Sequence, residues 1–338
     1  FLRETFLIFN LMSEPIFLLS PPRSFSSVVS SIIGQHPQLY CFPELHLLWR
    51  DDVEHVLSSK SNITQSRFAP SGLLRAIAQI HEQVQNSASC SRAWMWLANH
   101  RSLSSKELFD YLCAAHEPKL CIEKSPGNTR SIDRMIRLFK FYPKAKFIHL
   151  TRSVVGSSKS LKEFFEHRDS NQGERKSLRH PLVKDNYALM WYATHKSILK
   201  FRSIIPPSNF LTVKGESILT EPHSVLPQIC EWLGVSTDKR SIDEMLHPEN
   251  SPYAFFGPRM APCGNDPKFI TNPEFRPMRR KEYSFEQVRT YLNSNDRSNF
   301  TRYYVERSSS EAVISRLQDW NQSLLELVLD IEAQLGYA

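Results

Sequence analysis

Three cationic side chains stand where an apolar run stops: Arg23 in FLLSPPRSFSS, Lys124 in CIEKSPGN and Arg152 in KFIHLTRS. The first is the richest. Ser24, Phe25, Ser26 and Ser27 follow Arg23 before a helical stripe begins. Free N–H groups at a helix N-terminus, an arginine fork and three hydroxyls would converge there, which is the equipment of an oxyanion cradle. A hydroxyl N-cap beside a surface arginine would use the same residues for structure alone. The loop lacks both the glycines and the lysine of G-x-x-x-x-G-K-[ST], so it is not a phosphate loop of that kind. Arg152 is followed by Ser160 eight residues on, which lets a second phosphate touch both, although Ser160 by itself reads as an ordinary helix serine. A kinase or ATPase would place an aspartate near such a strand end to hold Mg²⁺, and a cation stands there instead, so no metal is implied. Lys124, with Ser125 beside it, is a compact point charge suited to a leaving phosphate or a transferring group.

These residues need elements that bring them together. Four apolar runs read as buried parallel strands: Ile16 to Ser20, Leu120 to Glu123, Lys146 to Thr151 and Asn209 to Lys214. Val28, Val29, Ile32 and Ile33 make a helical stripe after the first, stopped by Gly34 and Pro37. Val154, Val155, Ser158, Leu161 and Phe165 repeat the pattern after the third. Strands alternating with helices imply an α/β fold of three layers, a central parallel sheet flanked by helices, with ligands at the carboxyl ends of the strands. One domain, 1–338, is expected, with a helical insertion over about 47–116 and a Pro/Gly/Asn-rich lid or substrate loop over about 248–281. The tail ISRLQDWNQSLLELVLDIEAQLG reads as a packing helix.

Composition narrows the class. The chain has 338 residues, 41% hydrophobic and 23% charged, which excludes disordered, collagenous and coiled-coil classes. A net charge of +7, not gathered into one block, suits an anionic ligand and gives no signal for nucleic acid. Six cysteines without a C-x-x-C pair indicate neither zinc nor a disulfide framework, and point to reduced thiols in the cytoplasm. The apolar start is interrupted by Glu4, Asn10, Glu14 and Pro15, so no run reaches the roughly 18 residues of a membrane span. Met12, followed by Ser-Glu-Pro, can be read as a natural start or as a point inside a larger polypeptide.

The order of these segments carries a resemblance. PPRSFSSVVSSIIGQHPQL resembles the 5′-phosphosulfate loop of the sulfotransferases that use 3′-phosphoadenosine 5′-phosphosulfate (PAPS), in the branch written P-R-S-G-[ST]-[ST] before a helix and HP. FIHLTRSVVGSSKSL is similar to that family's 3′-phosphate motif, CIEKSP to its lysine-bearing second strand, and LTVKGESILTEPHSVLPQICEWLGV to the segment V-x-Y-E-D-L, then P, then F/W-L-G. The likeness runs from Ile16 to Val235 and is closest in character to bacterial natural-product or polyketide sulfotransferases, more distantly to tyrosylprotein sulfotransferases. Two positions depart from it. Phe25 stands where the loop usually has glycine, so that either the backbone avoids positive φ or the donor sits differently. Gly215 stands where the family often has a tyrosine on the adenosine.

The resemblance implies a P-loop-like fold and a PAPS-dependent enzyme without a metal. It assigns Arg23, Ser24, Phe25, Ser26 and Ser27 to the 5′-phosphosulfate, Arg152 and Ser160 to the 3′-phosphate, and Lys124 to charge near the leaving group or the substrate. Sulfuryl transfer needs in-line geometry and charge stabilisation, and a base for the acceptor hydroxyl. Glu44 in CFPELHLLW matches the position of the base in tyrosylprotein sulfotransferases; His46 and His247 are alternatives. The expected acceptor is a small molecule or a carrier-bound acyl chain, with no nucleic-acid or membrane partner. A kinase with a degenerate loop and a non-catalytic nucleotide-binding module are the competing classes.

Overall fold

The strands form where β-branched and aromatic residues alternate their side chains between two apolar environments. In β1 (Ile16–Leu19), Ile16 and Leu18 enter one core while Phe17 and Leu19 enter the other, as the two-residue period requires. The computed structural model describes residues 14–58, 70–171, 187–262, 264–279, 282–295 and 320–337. Within them β1, β2 (Leu39–Cys41), β3 (Leu120–Glu123), β4 (Lys146–Thr151) and β5 (Phe210–Lys214) build one sheet in the order β2-β3-β1-β4-β5, every pair parallel. The strand β2 is absent from the sequence expectation. It is only three residues long and shows no pattern of its own; its pairing with β3 (Leu39 opposite Leu120) makes it a strand.

Helices cover both faces, giving the three layers expected. On the Ile16/Leu18 side lie α1 (Ser26–Gly34) and, further along the chain, the helices Gly215–Thr220, Pro222–Leu233 and Lys239–Met245. On the Phe17/Leu19 side the chain between β2 and β3 supplies α2 (Val53–Ser58), α3 (Ser71–Glu82), α4 (Ser87–Asn99) and α5 (Ser105–Ala114), the helical stretch anticipated over 47–116. Asn86 and Ser104 start α4 and α5 with reciprocal capping boxes. Residues Ile132–Phe141 form α6, Val154–Asn171 α7 and Tyr187–Arg202 α8. Phe17 sits among Phe109, Tyr142 and Phe147, ring centroids 5.5–6.1 Å apart.

Numbering continues with α9 (Gly215–Thr220), α10 (Pro222–Leu233) and α11 (Lys239–Met245). The stretch from 248 is largely irregular, as expected, holding one turn at Pro248–Asn250 and the short α12 (Pro267–Thr271). Phe285–Asn295 form α13 and Trp320–Gln334 α14; the start of the expected tail helix, 314–319, lies outside the described residues. Five cysteines are free and buried, and Cys263 also lies outside them. No described helix is long and apolar enough to cross a membrane. Two buried histidines, His149 of β4 and His195 of α8, bond to each other at 2.7 Å, the packed role the sequence suggests for His149.

One helix junction is held by a buried acid. Glu332 of α14 accepts the N–H of Val154 (2.6 Å) at the N-terminus of α7. Burial outweighs that hydrogen bond, and Glu216 adds to it, so the Glu332 carboxyl is pushed up to about 7. A carboxyl raised in the folded state binds a proton there that the unfolded chain has released. Its contribution is full below the unfolded value, near 4.5, and is lost as pH rises through about 7. Unfolding free energy is therefore expected to fall by up to ~3 kcal/mol between those pH values, and Glu332→Gln to flatten that slope in denaturant titrations.

Candidate active site

The sheet order makes β3, β1 and β4 neighbours, so Lys124, Arg23 and Arg152 emerge at adjacent strand ends. Arg152 Nη1 donates to the Arg23 carbonyl at 2.7 Å, which joins two of the three directly. The third lies one hydroxyl away from the first helix: Lys124 Nζ, wholly buried, donates to Ser27 Oγ at 3.0 Å.

The loop before α1 turns through two left-handed residues, Arg23 (φ 67) and Phe25 (φ 63). Phe25 takes the conformation that glycine would adopt, so the expectation that the backbone might avoid positive φ is overturned. The cost of a left-handed non-glycine is of order 1–3 kcal/mol, and its surroundings compensate. The guanidinium of Arg152 lies 4.0 Å from the Phe25 ring centroid, a cation–π contact. The ring in turn rests against Gly215, where a Cβ would lie 2.7 Å from Phe25 Cδ2. The two departures from the family pattern are thus one packing solution.

No side chain caps α1. Ser24 is fully buried, and its Oγ has no hydrogen-bond partner among the described residues. An uncapped helix N-terminus and an orphaned hydroxyl beside Arg23 and Arg152 fit an oxyanion better than they fit a purely structural turn. The two guanidiniums and Lys124 concentrate positive charge at this point. Among the described residues no group of His, Cys, Asp and Glu is arranged to hold a metal ion.

Ser160 is brought to the cluster, where its Oγ accepts from Arg23 Nε (3.2 Å). A second Arg23 nitrogen, Nη1, pairs with Asp266 Oδ1 at 2.6 Å. The N–H of Asp266 donates to Ser27 Oγ at 2.9 Å. Sequence reasoning missed Asp266: Asp-Pro at the start of α12 signals a helix cap, and nothing local says which loop it will lie against.

Glu44 stands where the chain returns from β2. Its Oε1 accepts from Lys124 Nζ (3.0 Å) and its Oε2 lies 3.4 Å from His46 Nε2. Burial alone would raise this carboxyl, but the ammonium of Lys124 and the imidazole of His46 outweigh it and hold it at about 2. The Glu44 backbone is clamped as well: its N–H donates to the Gly264 carbonyl (2.7 Å), and Gly72 approaches so closely that a Cβ would meet Glu44 O at 2.1 Å. His46 (φ 53) is set by its own N–H, which donates to Ser125 Oγ at 2.8 Å, and its ring lies edge-on to Trp49. Ser125 is anchored through its N–H to the buried Glu123 (3.0 Å).

Arg23, Ser24, Phe25, Ser26, Ser27, Glu44, His46, Lys124, Arg152 and Ser160 are therefore gathered at one edge of the sheet. His247 is exposed and pairs with Glu249 at 2.8 Å; among the described residues it contacts none of Arg23, Glu44 or Lys124. Arg276 and Arg279, which follow the irregular segment, are exposed, and the adjacent Arg280 and Lys281 lie outside the described residues.

The sheet, its uncapped first helix and the cationic strand ends agree with the match of residues 15–239 to the model of a sulfotransferase family. The chain belongs to that family. Among solved structures it is similar to the sulfotransferase domain from the curacin biosynthetic pathway, at 21% identity over 84% of this chain and 99% of that one, with a TM-score of 0.64. It is also similar to the sulfotransferase domain from the Synechococcus PCC 7002 olefin synthase, at 23% identity over 85% and 97% of the two chains and a TM-score of 0.60. At these identities the likeness to both structures concerns the fold. No curated protein matches the chain in sequence.

The pairing of Phe25 with Gly215 can be tested on stability alone. Gly215→Ala is expected to cost about 1–3 kcal/mol by overpacking against the ring and the nearby Thr151 carbonyl. Most of that loss should vanish in a Phe25→Gly background, where the ring is gone and positive φ is free. Additive losses in the double-mutant cycle would mean that the two positions do not compensate each other.

Proposed function

We propose that the protein transfers the sulfuryl group of PAPS to a hydroxyl of a small molecule or of an acyl chain on a carrier, leaving adenosine 3′,5′-bisphosphate. The observation that carries this reading is the junction of Arg23 and Arg152 around an uncapped helix with the orphaned Ser24 hydroxyl. Arg23, Ser24, Ser26, Ser27 and the first N–H groups of α1 would hold the phosphosulfate end. Arg152, braced on Phe25, would hold the 3′-phosphate, with Ser160 at the boundary between the two. Sulfuryl transfer in general accords with family membership; the donor and the hydroxyl acceptor are the finer part of the proposal, and the biosynthetic-pathway and synthase domains that share the fold support a carrier-bound acceptor.

In the transfer the acceptor oxygen forms a bond to sulfur as the bond from sulfur to the bridging phosphate oxygen breaks. The acceptor proton passes to Glu44, and the charge left on the bisphosphate is met by Lys124 and Arg23. The Lys124–Glu44 pair links these two halves. While it is intact Glu44 is a weak base, held at about 2. An ammonium drawn toward the departing phosphate releases the carboxylate, whose basicity then rises where it is needed. His46, 3.4 Å from Glu44, orients it and can receive the proton onward.

Incubation with PAPS and a panel of hydroxyl acceptors should release the bisphosphate, and the bisphosphate should raise the melting temperature. A shift with ATP and Mg²⁺ but none with the bisphosphate would instead favour phosphoryl transfer. Glu44→Gln is expected to lower kcat about 100-fold or more with little change in bisphosphate affinity. If Glu44→Gln keeps most of the rate and His46→Asn loses it, the base is His46.

A further inference from the structure

We infer that Asp266 is an internal anion seated in the donor cradle, and that a donor binds by displacing it from Arg23. The choice of donor probe rests on the reading above; the displacement itself rests on geometry. Arg23 and Asp266 meet at 2.6 Å, and the Arg23 side chain is only 10% exposed, so the pair lies at the mouth of the cradle and not on an open surface. The Arg23 side chain also contacts Ser160 and the Phe164 ring. An incoming phosphosulfate needs the same guanidinium face, and it would bring its charge up against the Asp266 carboxylate. Like charges at that separation in a half-dry site oppose binding, so the carboxylate must leave as the ligand enters.

Asp266 belongs to a strap with several attachments. Gly264 accepts the N–H of Glu44, the Asp266 N–H occupies Ser27 Oγ, and Lys268 pairs with Glu163 of α7 at 2.6 Å. Ser27 Oγ thus has both its lone pairs engaged, by Lys124 and by Asp266. Displacing Asp266 frees that hydroxyl for the ligand and loosens the grip on the Glu44 backbone. Occupation of the cradle and the freedom of the candidate base are coupled through this one segment. The strap also acts on selectivity: a small monoanion only exchanges one negative charge at Arg23 for another, whereas a nucleotide that engages Arg152 as well has the extra contacts to drive the exchange.

Asp266→Asn and Asp266→Ser both keep a side-chain acceptor for the N–H of Lys268, which Asp266 now caps at 3.1 Å, so the local turn survives. Calorimetric titration with adenosine 3′,5′-bisphosphate is expected to show about tenfold tighter binding in both variants than in the unaltered chain. Lys268→Ala, which removes only the exposed pair with Glu163, should stay within about twofold. Unchanged or weaker binding in the Asp266 variants overturns the inference, as does equal tightening in Lys268→Ala, because looseness of the strap and not the Asp266 charge would then be responsible. If the bisphosphate binds none of the proteins, the donor reading fails separately. Inorganic pyrophosphate then decides: a larger rise in melting temperature for Asp266→Asn than for the unaltered chain upholds the displacement, and an equal rise refutes it.

Discussion

Positive charges brought together at one edge of a parallel sheet repel one another unless anions stand between them, and that constraint organises this end of the molecule. Lys124 is wholly buried and is matched by Glu44; Arg23 is matched by Asp266. Arg152 is buried too, which disfavours its charged form, while Glu216 nearby works in the opposite direction. Each partner comes from a different part of the chain: Glu44 from the turn after β2, Asp266 from the irregular segment before α12, Glu216 from the start of α9. The internal carboxylates make the cradle stable when no ligand is bound, and they are also the groups that a ligand's charge must replace or redirect.

The same edge stores backbone strain. Arg23, Phe25 and His46 are non-glycine residues at positive φ, and all three lie among the candidate ligand-binding or catalytic groups. For Phe25 the compensation is visible: its ring is clamped between the Arg152 guanidinium and the bare α-carbon of Gly215. The aromatic residue on the loop and the glycine opposite it fill this space together. Arg152 gains a fixed platform from the pair. For His46 the backbone is held by its N–H donating to Ser125, which follows directly on Lys124, so the lysine's strand end also sets the histidine.

Much of the architecture was legible in the chain. The four longer strands were readable as apolar runs because both sheet faces are covered, and the helical signals followed from periodicity. The cationic strand ends were legible for the same reason, since a residue type at the end of a buried run has only one kind of place to go. The strand β2 was not, because three residues carry no period and the strand exists through its pairing with β3. The strand-end cations and Glu44 with His46, singled out in the sequence, lie together in the structure. His247, the runner-up as base, pairs with Glu249 at the surface.

The sequence by itself determined which residues lie at strand ends, because hydrophobic pattern is local and a parallel α/β sheet exposes all its carboxyl ends on one edge. It also set three cations, Arg23, Lys124 and Arg152, at those ends. Only the tertiary structure decided which carboxylate faces which cation, since Asp266 meets Arg23, 243 positions away in the chain, by a loop path that no short-range pattern encodes. It decided as well that Ser160 serves Arg23 and that Phe25 and Gly215 compensate each other. Those choices depend on shape and distance across the fold, quantities that a one-dimensional pattern does not contain.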